Sequence, residues 1–175
     1  MEEKKTTEKS SRPERRGGAP GRGRGKGRKE REVREFDQKI LDLARVTRVT
    51  GGGKRMRFRA TLVIGDHKGR VGIGTAKGLD VAAAVEKAYT QAKRKVITVS
   101  MKDETIPHMV EMKYGSAQVL LKPAPVGTGL KSGGAIRVVL ELAGVPNVVS
   151  KILGSKNKIN IARATIKGLE TLRRV

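Results

Sequence analysis

The chain has 175 residues, with 39 Lys/Arg against 17 Asp/Glu, a net charge of +22 and an isoelectric point near 10.9. That balance selects a polyanionic partner, nucleic acid ahead of an anionic membrane surface. Cysteine is absent and histidine occurs only as His67 and His108. Disulfides, zinc–thiolate sites and cysteine nucleophiles are therefore excluded, and neither a metal nor a cofactor is expected.

Tryptophan is absent too, and Phe36, Phe58, Tyr89 and Tyr114 are the only aromatic residues. Single-strand binders rely on aromatic platforms for stacking, so binding here is expected to use charge and shape. The start, MEEKKTTEKS, lacks the apolar region of a secretory signal. No apolar run approaches the ~20 residues that span a bilayer. A soluble, cytoplasmic protein with no membrane partner is the expectation.

Residues 1–35 read as a disordered basic tail. RRGGAPGRGRGKGRKERE is rich in Gly, Arg and Lys, has no apolar period, and cannot bury enough surface to offset its ordering entropy. It reads either as an arm that folds along RNA or as a solvated tail without a fixed site. The tail does not account for the charge. Residues 1–37 hold thirteen Lys/Arg against eight Asp/Glu, or +5, which leaves +17 on the remainder.

Ile40–Val49 reads as a strand after a short helical lead-in, and GGGK, residues 51–54, as a turn. MRFRATLVI then alternates: Met56, Phe58, Ala60, Leu62 and Ile64 point one way, and Arg57, Arg59, Thr61 and Val63 the other. A slip of one residue would bury two arginines, which fixes the register. GDHKG is a hairpin loop and RVGIGTA a glycine-loosened strand. Asp80 is placed to cap a helix, VAAAVEKAYTQAKRKV, whose inward stripe is Val81, Val85, Ala88/Tyr89 and Ala92. A strand, Val96–Ser100, closes this unit.

KDETIPH marks a break. Strands are expected over residues 109–114 and Ala117–Lys122, followed by a glycine loop and a helix over Ala135–Ala143 stopped by Gly144. A short helix is expected over Asn147–Leu153. A last helix is expected from Asn160, with Ile161, Ala164/Thr165, Leu169 and Leu172 inward and Arg163, Lys167, Glu170 and Arg174 outward. The fold class is α+β, with a tail over 1–35 and two small domains over 36–102 and 103–175.

PVGTGLKSGGAIRVVLELAG, Pro125–Gly144, has the look of a phosphate loop running into a helix. It fails the Walker pattern because Lys131 follows Leu130 rather than a glycine. GRVGIGTAKG fails the dinucleotide pattern because its glycines lie within and after a strand, outside any βαβ unit. Asp66 and His67 adjoin on a hairpin loop, Asp103 and Glu104 lie in a linker, and no serine has a recognisable His and Asp around it. Catalysis is not expected.

The bases are patterned. Arg45, Arg48, Lys54, Arg55, Arg57 and Arg59 crowd one strand–turn–strand, and no acid occurs between Ala44 and Gly65. Charge this unbalanced repels itself unless an anion neutralises it, so these residues are candidate RNA-phosphate contacts. Lys68, Arg70, Lys77 and Arg163 are added to that set.

Four segments resemble, in order and at family spacing, the bacterial family of small-subunit ribosomal protein five. They are RVTRVTGGGKRMRFRATLVIGDHKGRVGIGTAKG, ETIPH, LLKPAPVGTGLKSGGAIRVVLELAGVPNVVSKILGS and INIARATIKGLE. The resemblance runs from about Ile40 to Leu172. It implies an N-terminal domain like a double-stranded-RNA-binding domain, three strands with helix packing, and a C-terminal β-then-α domain. It also implies a structural, non-enzymatic ribosomal component that binds small-subunit ribosomal RNA. That component would lie against small-subunit proteins four and eight, steady the head against the body, border the path by which messenger RNA enters, and affect decoding accuracy. Thr50, Gly51, Gly52 and Gly53 match the head-facing turn, where Gly51 stands in place of a lysine common in relatives. Gly127, Thr128, Gly129 and Arg137 match the contact with protein four, so the glycine loop is expected to meet a protein rather than a nucleotide.

Overall fold

The computed structural model describes residues 35–173. Arg174 and nearly all of the tail expected over residues 1–35 lie outside the described residues. The fold is α+β, with two four-stranded sheets.

β1 (Asp37–Thr50), β2 (Gly53–Gly65), β3 (Arg70–Gly78) and β4 (Ile97–Thr98) form an antiparallel sheet in chain order. The sequence suggested a helical lead-in before residue 40. Instead β1 pairs with β2 from Asp37 opposite Gly65, and a bulge between Ile40 and Asp42 absorbs the irregular patterning there. α1 (Val81–Lys93) packs on one face of β2 and β3. Its buried stripe is Ala84, Ala88 and Ala92, with Val85 and Tyr89 on the flank of the same cluster. A small-residue stripe suits a close approach, and β3 is built to receive it. A Cβ at Gly74 would lie 2.0 Å from the Ala88 carbonyl oxygen, and one at Gly72 would lie 2.8 Å from that of Ala92. The glycines of GRVGIGTAKG thus seat a helix. Asp80 precedes α1 as expected, but its side chain makes no capping bond.

β5 (Val110–Tyr114), β6 (Ala117–Pro123), β7 (Leu130–Lys131) and β8 (Val148–Ile152) form the second sheet in the order β5-β6-β8-β7, with β7 parallel to β8. β8 replaces the short helix expected over Asn147–Leu153. Val148, Val149 and Ile152 are β-branched, and burial alternates with period two from buried Val148 to exposed Val149. Pairing of β8 with β6 on one side and β7 on the other decides for strand. The last helix, α3 (Lys158–Glu170), starts before Asn160: the Asn157 carboxamide oxygen accepts the Ile159 N–H at 3.1 Å and caps it.

α2 (Gly134–Ala143) and α3 lie between the sheets. α2 is apolar nearly all round, burying Ala135, Ile136, Val139, Leu140, Leu142 and Ala143, as a helix enclosed on several sides must be. One core cluster joins Leu41, Val63 and Val71 of the first sheet to Ile136 and Leu140 of α2, Leu169 of α3, and Val119 and Leu121 of the second sheet. β2 is consequently buried on both faces from Ala60 to Gly65. Leu62 and Ile64 meet α1, while Val63 meets the shared core.

The β2–β3 loop locks this arrangement by capping α2. The backbone N–H groups of His67 and Gly69 donate to the Leu142 and Ala143 carbonyls at 3.0 and 2.9 Å. His67 Nδ1 lies 2.8 Å from the Glu141 carbonyl, which can only accept, so Nδ1 carries a proton. These contacts satisfy carbonyls left free at a helix C-terminus. They explain Asp66 and His67 as structural residues. Burial pushes the Asp66 carboxyl up, but hydrogen bonds from the Arg70 side chain and from the Lys68 and Arg70 backbone N–H groups outweigh it and hold the pKa at about 2.

Candidate nucleic-acid interface

Beyond the core, β1 and β2 continue as a two-stranded ribbon. From Gly53 to Arg57 every β2 residue is exposed, as are Thr47 to Thr50 opposite them. Directly opposed residues of an antiparallel pair share a face. Ala44 faces Arg59, Val46 faces Arg57 and Arg48 faces Arg55, so Arg48, Arg55, Arg57 and Arg59 occupy one face of the ribbon. Lys77 joins them, opposite Arg59 on the β3 side. Arg45 and Lys54 lie on the other face, opposite Phe58 and Val49.

The electrostatics of that face are unbalanced. Arg59 pairs with Asp42 at 3.2 Å. Among the described residues, Arg45, Arg48, Lys54, Arg55, Arg57 and Lys77 have no ion pair or side-chain hydrogen bond. Arg48 and Arg55 are moreover directly opposed like charges, an arrangement that destabilises a sheet unless an anion lies between or over them. Guanidinium groups are suited to that, because their planar fork takes phosphate oxygens in pairs. The tip is a tight turn in which Thr50 Oγ1 donates to the Gly53 carbonyl at 3.0 Å. Gly53 has φ +130°, which a residue with a Cβ rarely adopts, whereas Gly51 and Gly52 face open space.

The structure separates other candidates from this group. β2 has thirteen residues, and at ~3.3 Å per residue the loop bearing Lys68 lies roughly 40 Å from the tip. Lys68 is exposed there. Arg70 is engaged, 2.6 Å from Asp66 and stacked 5.1 Å from the Phe36 ring centroid. Arg163 of α3 donates to the Tyr114 hydroxyl at 3.2 Å and lies against its ring, on the wall of a cavity of about 440 Å³ between α3 and the β3–β4 edge.

The glycine loop is braced from within. Gly127 and Gly129 have φ +90° and +72° and face open space, so backbone conformation, not crowding within the chain, requires glycine there. The Thr128 N–H donates to Pro125 across a turn. Arg137 is exposed and donates to the Leu130 carbonyl at 3.1 Å. Buried Asn147 accepts the Gly129 N–H at 3.1 Å on its carboxamide oxygen, and its backbone carbonyl accepts the Thr105 hydroxyl at 2.6 Å. Asn147 thus ties the loop to the linker between the sheets. Nothing in the run GVPNVVS marks that role beyond a polar residue among apolar ones. Among the described residues no group of three or more metal-ligating side chains occurs.

Residues 36–100 match the family model described as ribosomal protein S5, N-terminal domain, and residues 112–175 match that of the C-terminal domain. The chain belongs to the ribosomal protein S5 family. It is also 50% identical over 149 residues to the small ribosomal subunit protein uS5c of Spinacia oleracea, a match covering 85% of this chain and 48% of that relative. The chain thus spans about half the length of that relative. The N-terminal S5 match covers the first sheet, α1 and the basic ribbon; most of the second sheet, the glycine loop, α2 and α3 fall in the C-terminal match.

Proposed function

We propose that this chain is a non-enzymatic, structural constituent of the small ribosomal subunit that binds its ribosomal RNA through the β1–β2 ribbon. The observation that carries the reading is the bare cationic face formed by Arg48, Arg55, Arg57, Arg59 and Lys77, which holds a single internal counterion, Asp42. S5 family membership and the name of the spinach relative support the ribosomal setting. Co-sedimentation with small subunits through a high-salt wash tests it. Retention supports an integral constituent, and release at moderate salt, with binding to any RNA duplex, contradicts it.

Small-subunit protein four lies against the glycine loop, and protein eight is a further protein neighbour. The Thr50–Gly53 turn reaches toward the head, and the protein borders the path by which messenger RNA enters. Gly127 is exposed and Gly129 half-buried, and the loop is tied down by the Gly129 N–H on Asn147 and by Arg137 on the Leu130 carbonyl, which suits a preformed protein contact. A contact remade during subunit closure biases decoding only if it stabilises one state more than the other. Gly129→Arg strains a left-handed position and adds a charge at that contact, so assembled subunits carrying it should misread at an altered rate. Normal misreading in fully assembled subunits would overturn this placement.

A further inference from the structure

The outer face of the second sheet is covered by no described element. Its register puts Lys113 opposite Gln118, Glu111 opposite Leu120, Leu120 opposite Lys151, and Val149 between Lys122 and Lys131. These residues share one face, because opposed residues point the same way. The other face, with Val110, Val119, Leu121 and Val148, is buried against the core.

The open face therefore carries four exposed lysines, Lys113, Lys122, Lys131 and Lys151, from all four strands. None has an ion pair among the described residues. The one acid there, Glu111, accepts from the Gln118 carboxamide. Lys122 and Lys131 flank Val149, so their strands are roughly 10 Å apart, and Lys151 lies one pleat along at ~7 Å. Flexible ammonium groups at such spacings follow a run of phosphates as point charges and read no sequence.

We infer that the outer face of the second sheet is a further RNA-binding surface, separate from the ribbon, which grips an RNA backbone through Lys113, Lys122, Lys131 and Lys151. This rests on the ribosomal reading above. Charge complementarity selects the occupant. The chain's own N-terminal stretch does not complement the face, since residues 1–37 are themselves net +5.

The chain has no cysteine, so a single introduced thiol can carry a tethered iron chelate that cuts nearby RNA. Val149→Cys places the cut at the centre of the lysine face and Val46→Cys, opposite Arg57, on the arginine face of the ribbon, in the full chain assembled into small subunits. Strong RNA cleavage from both positions, at different nucleotides, is expected. Cleavage from Val46→Cys alone would overturn the second surface and leave the ribbon reading standing. Cleavage from neither would overturn both. In parallel, replacing the four lysines by Gln should make the logarithmic salt dependence of binding to small-subunit RNA shallower by about 3. An unchanged slope, together with Val149→Cys crosslinking to an acidic neighbouring protein, would assign the face to protein instead of RNA.

Discussion

The base and the tip of the β1–β2 ribbon are continuous in sequence and opposite in construction. At the base, Ala60 to Gly65 are buried on both faces, between α1 and the core shared with the second sheet. Toward the tip the same strands leave every residue from Gly53 to Arg57 exposed and set Arg48 directly opposite Arg55. The base stabilises the fold through packing. The tip contributes little to it and carries self-repelling charge. A region that costs stability in isolation implies that its favourable interactions lie outside the chain. Changes at the base should therefore act on folding and changes at the tip on binding.

Leu62→Ala at the base should have the largest effect on folding. Leu62 is fully buried against α1, and truncation there is expected to cost ~2–5 kcal/mol. Denaturant unfolding measures it. A loss below about 1 kcal/mol would mean the base is not packed as described.

Asp66 sits at the buried end of the ribbon, its side chain 7% exposed. Its pKa is depressed from 3.8 to about 2, so it contributes stability above the unfolded value that is lost as pH falls from about 4 toward 2. The full contribution is about 2 kcal/mol. Asp66→Asn should lower stability at neutral pH by a similar amount and flatten this acid limb. A mutant that unfolds with the same pH profile as the parent would contradict the assignment.

The smallest effect is expected at the tip itself. A Cβ at Gly51 meets nothing within 4 Å, so Gly51→Ala should change stability by no more than about 0.5 kcal/mol. A larger loss would show that the turn is packed.

Where local pattern decides structure, the sequence was readable. The strict alternation of MRFRATLVI set the faces of β2, including Arg57 and Arg59 together. Burial of both faces at its base was not readable, because Val63 is covered by α2 and α3, more than seventy residues later in the chain. The run GVPNVVSKIL is short and apolar, and helix and strand read alike there. Only pairing with β6 and β7 made it a strand. That misreading also hid the lysine face, since Lys151 cannot be aligned with Lys122 and Lys131 until β8 is a strand. Arg70 looks like a free cation in sequence. Its partner, Asp66 across a loop, appears only once the chain folds back.

The central claim is that the tip binds RNA phosphates and does little else. Its most direct test is the salt dependence of binding to small-subunit ribosomal RNA by the parent and by an Arg48→Ala, Arg55→Ala, Arg57→Ala variant. The variant's logarithmic slope is expected to be shallower by about 2–3, with an unfolding midpoint equal to the parent's or slightly higher. A folded variant that binds with the parent's slope and affinity would contradict it.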